Sequence, residues 1–292
     1  MILLDGKATA ETILQEIKQE VDSFRQQGLR EPGLAVIMAG NNPASASYVR
    51  NKIRSCEKVG FHSQHIHVGE DITQEAILDL VHDLNQDDRI DGFIVQLPLP
   101  NQINVDQVIA AIDPSKDVDG FHPMNMGNVS LGREAFISAT PNGILELIKR
   151  YEIETSGKHV VVVGRSNIVG RPMSILLSRS GYPGNATVTL THSRTQDLKA
   201  ITLQADILIA AVGRPNMITA DMVKPGAVII DVGINRVEDS SRKRGYRLVG
   251  DVDFEGISHK ASYATPVPGG VGPMTVTSLM MNTLKSYKKR VQ

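Results

Sequence analysis

Four short runs in the second half of the chain limit its fold most strongly. "KHVVVVG" (158–164), "ATVTLTHS" (186–193), "ADILIAAVG" (205–213) and "AVIIDVGIN" (227–235) are rich in Val, Ile, Leu and Ala and bounded by Gly or polar residues. Such runs suit strands covered on both faces by helices, the condition of a parallel sheet. Three of them end in glycine or a short polar turn, where a doubly wound sheet places its ligands.

The first half carries the same rhythm less purely. "GLAVIMAG" (33–40) and "DGFIVQLPLP" (91–100) read as strands, the second stopped by prolines. Between them, "NNPASASYVRNKIRSCEKVG" reads as a helix capped by Asn42, with Pro43 in its first turn and Gly60 at its end. "TQEAILDLVHDLNQ" (73–86) is a second amphipathic helix. A boundary falls near 127–143, after which "TPNGILELIKRY" reads as a helix capped by Thr140. "PMTVTSLMMNTLKSYKKR" reads as a C-terminal helix, and "VEDSSRKRGYRLVG" (237–250) as a charged surface loop or hairpin. At roughly 150 residues per domain, 292 residues predict about two. The expected fold is α/β in two domains: a Rossmann-like domain over 140–274, and an α/β catalytic domain over 1–139 completed by the helix at 275–292.

Composition excludes several function classes. A net charge of −1 argues against nucleic-acid or membrane-surface binding. Cys56 is the only cysteine, so neither an internal disulfide nor a cysteine-based zinc site is expected. "HSQHIH" offers His62, His65 and His67 without a helical i, i+4 pair, so no metal site is expected. "MILLDGKATA" meets Asp5 and Gly6 after four residues, too short for a signal-peptide core, and no apolar run approaches a membrane span. A cytoplasmic protein is the expectation.

"VVVVGRSNIVGRP" (160–172) follows a strand and opens a helix at about Pro172, the context in which a glycine turn holds a pyrophosphate. Its fit to G-x-G-x-x-G is poor, since Ser166 and Val169 stand at the second and third glycine positions. An ordinary strand-to-helix turn stays open at this point. The next strand ends "THSRT", with Ser193 and Arg194 and no acid before Asp197. With Arg165 in the turn, this favours NADP over NAD, because an acid there would grip a free ribose and repel a 2′-phosphate.

On the helix at 43–59, Ala46, Val49 and Ile53 are the expected core stripe, with Tyr48 and Lys52 on one flank and Arg50 and Arg54 on the other. Periodicity leaves Lys52 open between solubilising charge and chemistry. Gln96 in "VQLPLP" is either an outward strand residue or a deliberate hydrogen-bonding group. Asp117 and Asp119 in "DPSKDVDGFHP" (113–123) read as turn chemistry. "TPVPGGVGPMT" (265–275) supplies rigid backbone with close ligand access, or a plain hinge.

Taken in order, "YVRNK", "VQLPLP", "KDVDGFHP", "GRSNIVGRP", "DVGIN" and "TPVPGGVGPMT" resemble the bifunctional methylenetetrahydrofolate dehydrogenase/methenyltetrahydrofolate cyclohydrolase (FolD) family, from "LDGKATA" to the last helix. The resemblance implies oxidation of 5,10-methylenetetrahydrofolate by NADP+ and hydrolysis of the methenyl product to 10-formyltetrahydrofolate, in one-carbon metabolism. It implies Lys52 as the catalytic lysine, Gln96 as its hydrogen-bonding partner, Tyr48 packing on the folate and Asp119 anchoring the pterin. Val95, Leu97, Pro268, Gly269 and Gly270 fall in the implied folate site. Gly164, Arg165, Ser166, Ser193 and Ile234 match the NADP contacts, with Arg165 and Ser193 nearest the 2′-phosphate. It further implies an active-site cleft between the domains and a homodimer through the cofactor domain. Two departures stand out: a longer connection at "SRSGYPGNATVT", and Arg171 where the family commonly has Ala. A monofunctional dehydrogenase and a non-catalytic NADP-binding protein are the rival readings. Intact Tyr48, Lys52, Gln96 and Asp119 argue against both.

Overall fold

The computed structural model describes residues 1–242 and 245–291. Along the chain run β1 (Ile2–Leu3), α1 (Gly6–Gln26), β2 (Gly33–Ala39), α2 (Pro43–Val59), β3 (His62–Val68), α3 (Gln74–Gln86), β4 (Gly92–Gln96), α4 (Val105–Ala111) and α5 (Pro123–Ser130). Then come α6 (Ala139–Arg150), β5 (His159–Val163), α7 (Gly170–Ser178), β6 (Thr187–Thr191), α8 (Leu198–Thr202), β7 (Ile207–Ala210) and β8 (Val228–Asp231). Last are β9 (Asn235–Glu238), β10 (Tyr246–Val249), α9 (Phe254–Ile257), β11 (Tyr263–Ala264) and α10 (Val271–Val291). The chain divides into two units: Met1–Ala10 with Thr140–Thr275, and Glu11–Ala139 with Val276–Gln292.

The first unit is built on a six-stranded sheet in the order β1-β11-β8-β7-β5-β6. Its pairings are parallel throughout. β5, β7 and β8 are almost wholly buried, as their unbroken apolar runs require. Val161, Leu208, Ile229 and Ala264 fill one core with Ile257 and Val252. From β5 the sheet grows to β6 on one side and to β7 on the other. The crevice at that reversal, at the carboxyl ends of β5 and β7, is where such a sheet binds ligands.

Met1–Ala10 belongs to this unit, a difference from the expected domain over 1–139. Ile2 and Leu3 pair with Tyr263 and Ala264, and the Leu4 amide donates to Ala264 O at 2.8 Å. Two-residue strands carry no period that a sequence pattern can show. Of the two readings of the charged insertion, surface loop or hairpin, β9 and β10 form the hairpin, although Lys243 and Arg244 lie outside the described residues. The C-terminal helix begins at Val271, inside the glycine-rich segment, and Gln292 lies outside the described residues. Thr140 lies within α6 rather than capping it. Its hydroxyl meets that of Thr275 at 3.0 Å.

The second unit holds a three-stranded parallel sheet, β3-β2-β4. β2 is central and buried along its whole length. Ile37, Phe93 and Val95 pack with Ile77, Val81 and Leu84 of α3 and Val108 of α4. β3 is an outer strand, with His65 and His67 exposed and stacked on one face, ring centroids 5.9 Å apart.

The buried face of α2 corrects the expected stripe. Ser45, Val49, Cys56 and Val59 are buried, while Ala46 and Ile53 are half-buried. At roughly 100° per residue these four fall within about 40° of one line, and Lys52 falls on the same line. Lys52 therefore points with the core stripe, and Arg50 and Arg54 are exposed.

Candidate active site

In the three-stranded unit the site is assembled from α2, the end of β4 and the loop after α4. Asn42 starts α2 by accepting from the Ser45 amide at 3.1 Å. Two turns on, half-buried Lys52 donates from Nζ to Gln96 Oε1 at 3.0 Å. The Gln96 amide is oriented by its own backbone: Nε2 donates to Leu97 O at 2.7 Å, which leaves Oε1 to face the lysine. Burial pulls the Lys52 ammonium below the usual lysine value, opposed by the charge of Asp119. Burial likewise pushes Asp119 above the usual carboxylate range, opposed by Lys52. Each charge thus offsets part of the other's burial shift.

Asp119 owes its position to Asp117. The buried Asp117 carboxylate accepts from the amides of Gly120 (3.1 Å), Phe121 (3.2 Å) and His122 (2.8 Å) and from Asn125 Nδ2 (2.9 Å). Burial outweighs those donors and puts Asp117 at about 6. The preceding residue, Lys116, is fully buried. Its ammonium donates to Leu84 O at 2.7 Å and Asp87 O at 2.8 Å, tying the loop to the carboxyl end of α3. The turn chemistry read for Asp117 is present, but the anchoring role of Lys116 was missed; its only signal is a lysine inside an otherwise structural loop. A cavity of about 10 Å³, room for a single water, has Val95, Leu97, Asp117, Asp119 and Phe121 in its wall. Tyr48 is exposed one turn before Lys52.

In the six-stranded unit, β5 ends at Gly164, whose φ of 115° suits glycine alone. A Cβ there would collide with Ala211 O at the end of β7, and a Cβ on Gly170 would collide with Gly164 O. The turn thus holds its backbone close to the crevice. Ser166 Oγ accepts from the amides of Val169 (3.2 Å) and Gly170 (3.4 Å), so its hydroxyl shapes the start of α7. Arg165 is exposed beside it, as are Ser193 and Arg194 after β6. Asp197, the first acid after β6, caps α8 through the Ala200 amide at 3.1 Å. Arg171 is exposed and donates to Asn167 Oδ1 at 2.8 Å. Ile234 is exposed after β8, its side chain 3.3 Å from where a Cβ on Gly272 would stand. The Gly269 carbonyl, in the segment with Pro268 and Gly270, accepts from the Lys7 amide at 2.9 Å. A close-packed glycine turn, exposed arginine and serine at two strand ends, and no free acid beside them fit a dinucleotide bearing a 2′-phosphate.

No group of three or more His, Cys, Asp and Glu residues among those described could hold a metal ion. No helix among them is long and apolar enough to cross a membrane.

Comparison with known proteins places these two units in one family. Residues 4–119 match the catalytic domain of tetrahydrofolate dehydrogenase/cyclohydrolase, and residues 138–291 match its NAD(P)-binding domain. The bifunctional protein FolD of Flavobacterium johnsoniae is 57% identical over 290 residues, covering 99% of this chain and 98% of that protein. The crystal structure of the bifunctional enzyme from Campylobacter jejuni has a TM-score of 0.93 at 49% identity, covering 99% of both chains. The Trypanosoma brucei enzyme, complexed with NADP cofactor and inhibitor, has a TM-score of 0.94 at 38% identity, covering 100% of this chain and 99% of that one. With both domain models matched and a relative more than half identical along almost its whole length, the chain belongs to the tetrahydrofolate dehydrogenase/cyclohydrolase family.

Proposed function

We propose that this protein oxidises 5,10-methylenetetrahydrofolate with NADP+ and hydrolyses the resulting 5,10-methenyl cation to 10-formyltetrahydrofolate. The observation that carries the hydrolytic half is the Lys52–Gln96 contact. It gives a desolvated lysine a neutral partner rather than a carboxylate.

Bound NADP+ supplies the hydride acceptor for the first step. Gly164 and Gly170 let backbone approach the pyrophosphate, and Arg165 and Ser193 recognise the 2′-phosphate. Ser166 keeps the turn in shape, and Ile234 lines the cofactor site.

The second step is acid–base chemistry. An unperturbed lysine, near about 10.4, is a poor base at neutral pH, and burial shifts Lys52 in the direction a base requires. Neutral Lys52 keeps its donor bond to Gln96 and turns its lone pair to the water that adds to the cationic carbon. The ammonium so formed then protonates the ring nitrogen as its bond to that carbon breaks. One proton leaves to solvent overall, as the conversion of a cation to a neutral formyl product requires. Asp119 holds the pterin, Tyr48 covers it, and Val95 and Leu97 complete the folate contacts of this unit.

The test supplies 5,10-methylenetetrahydrofolate with NADP+ or NAD+ and follows reduced cofactor and methenyl product separately. Reduction preferring NADP+, without accumulating methenyl product, supports the proposal. Accumulation of the methenyl product means dehydrogenase alone, and no reduction with either cofactor means a binding protein. A cytoplasmic homodimer joined through the six-stranded unit belongs to the same reading. It rests on the family resemblance, and light scattering of the purified chain tests its dimeric state.

A further inference from the structure

Two buried carboxylates in the six-stranded unit have no part in the reaction as derived. Asp251 lies in the loop after β10. Its Oδ2 accepts from the amides of Val212 (2.6 Å) and Gly213 (3.0 Å), and its Oδ1 from the Arg214 amide (2.8 Å) and Asn235 Nδ2 (2.9 Å). Three successive amides after β7 therefore converge on one side chain. Asp231, at the end of β8, holds Asp251 in turn: it accepts from the amides of Gly233, Asp251 and Val252, each at 2.9 Å. The approach is so close that a Cβ on Gly233 would strike the Asp251 carboxylate, and one on Gly250 the Asp231 carboxylate. Three motifs far apart in sequence, "AVGRP", "DVGIN" and "GDVDF", meet in this stack.

The loop so gripped borders the ligand crevice. Ala211 O, one residue before the first gripped amide, is the atom that a Cβ on Gly164 would strike. Asn235, gripped from the other side, follows Ile234 directly.

We propose that Asp251 is a positioning residue of the NADP site, setting the 212–214 loop against the glycine turn and fixing the segment that carries Ile234. The proposal rests on the cofactor reading above. Neutral Asn in its place keeps the shape but turns an amide donor toward a backbone donor, whichever way it is flipped.

The test titrates parent, Asp251→Asn and Asn235→Ala proteins with NADPH, following cofactor fluorescence. It also measures KM and kcat for NADP+ and the unfolding midpoint of each. NADPH affinity should fall at least tenfold in Asp251→Asn, with KM for NADP+ rising in step and kcat changing less than threefold. Asn235→Ala, which removes one of the four donors, should weaken binding about two- to threefold, and it carries the test if Asp251→Asn does not fold. Binding within twofold of the parent in the folded variants, or equal losses in KM and kcat, overturns the proposal. A parent chain that does not bind NADPH overturns the cofactor reading itself, and the proposal with it.

Discussion

Lys52 Nζ donates to Gln96 Oε1 at 3.0 Å, and the same Gln96 amide donates to Leu97 O at 2.7 Å. The second bond settles which end of the amide meets the lysine. A neutral acceptor satisfies the lysine without holding it protonated, so burial outweighs the opposing charge of Asp119 and sets the direction of its shift. A carboxylate at position 96 would act the other way, because an opposite charge at this range favours the charged form.

Gln96→Glu should therefore raise the Lys52 pKa. Cyclohydrolase activity needs the neutral amine, so the parent rate should rise with pH through a midpoint below 10.5, the ordinary lysine value. In Gln96→Glu the rise should move to higher pH, with a lower rate at neutrality. A pH–rate profile of methenyl hydrolysis checks this; an unmoved or acid-shifted profile contradicts it.

Arg165→Gln should change cofactor choice. A charge-assisted contact to phosphate contributes about 1.5–3 kcal/mol, so KM for NADP+ should rise by roughly 10- to 100-fold. KM for NAD+ should hardly move, since NAD+ lacks the phosphate. Steady-state kinetics with both cofactors decide it, and equal losses with the two would place Arg165 elsewhere than at the 2′-phosphate.

Lys116 gives a stability prediction of definite sign. Its folded pKa is lowered from 10.5 to about 8, chiefly by burial. Between those values the unfolded chain binds more protons than the folded one, so the Lys116 contribution to stability rises with pH across that window. Parent minus Lys116→Met, compared by urea midpoint at pH 8 and pH 10, should show this rise. At pH 7.5 the variant leaves Leu84 O and Asp87 O without their donor, at a cost of about 1–3 kcal/mol for each group left unsatisfied. A pH-independent difference would show that Lys116 stays charged throughout.

The parallel sheets were legible from the sequence because β2, β5, β7 and β8 are apolar runs of strand length between turn residues. The glycine turn was legible from its place after β5, despite its poor fit to the dinucleotide pattern. The face of Lys52 was not. Counting only apolar residues put the stripe on Ala46, Val49 and Ile53, and so left the lysine on a flank. The real stripe runs through Ser45, Val49, Cys56 and Val59, and a polar serine and a charged lysine on it hide its phase. β1 and β11 are too short to show a period, which moved Met1–Ala10 to the other unit. The Asp231–Asp251 stack was beyond reach for another reason: its acceptors serve backbone amides, which every sequence supplies and no sequence marks.

Lys52→Met, assayed separately for the two steps, tests the account most directly. General acid–base catalysis contributes typically about 10²- to 10⁴-fold. Hydrolysis of added 5,10-methenyltetrahydrofolate should therefore fall by at least about 100-fold, while NADP+ reduction with 5,10-methylenetetrahydrofolate persists with a much smaller loss. Full retention of cyclohydrolase activity in Lys52→Met would contradict the role given to this lysine.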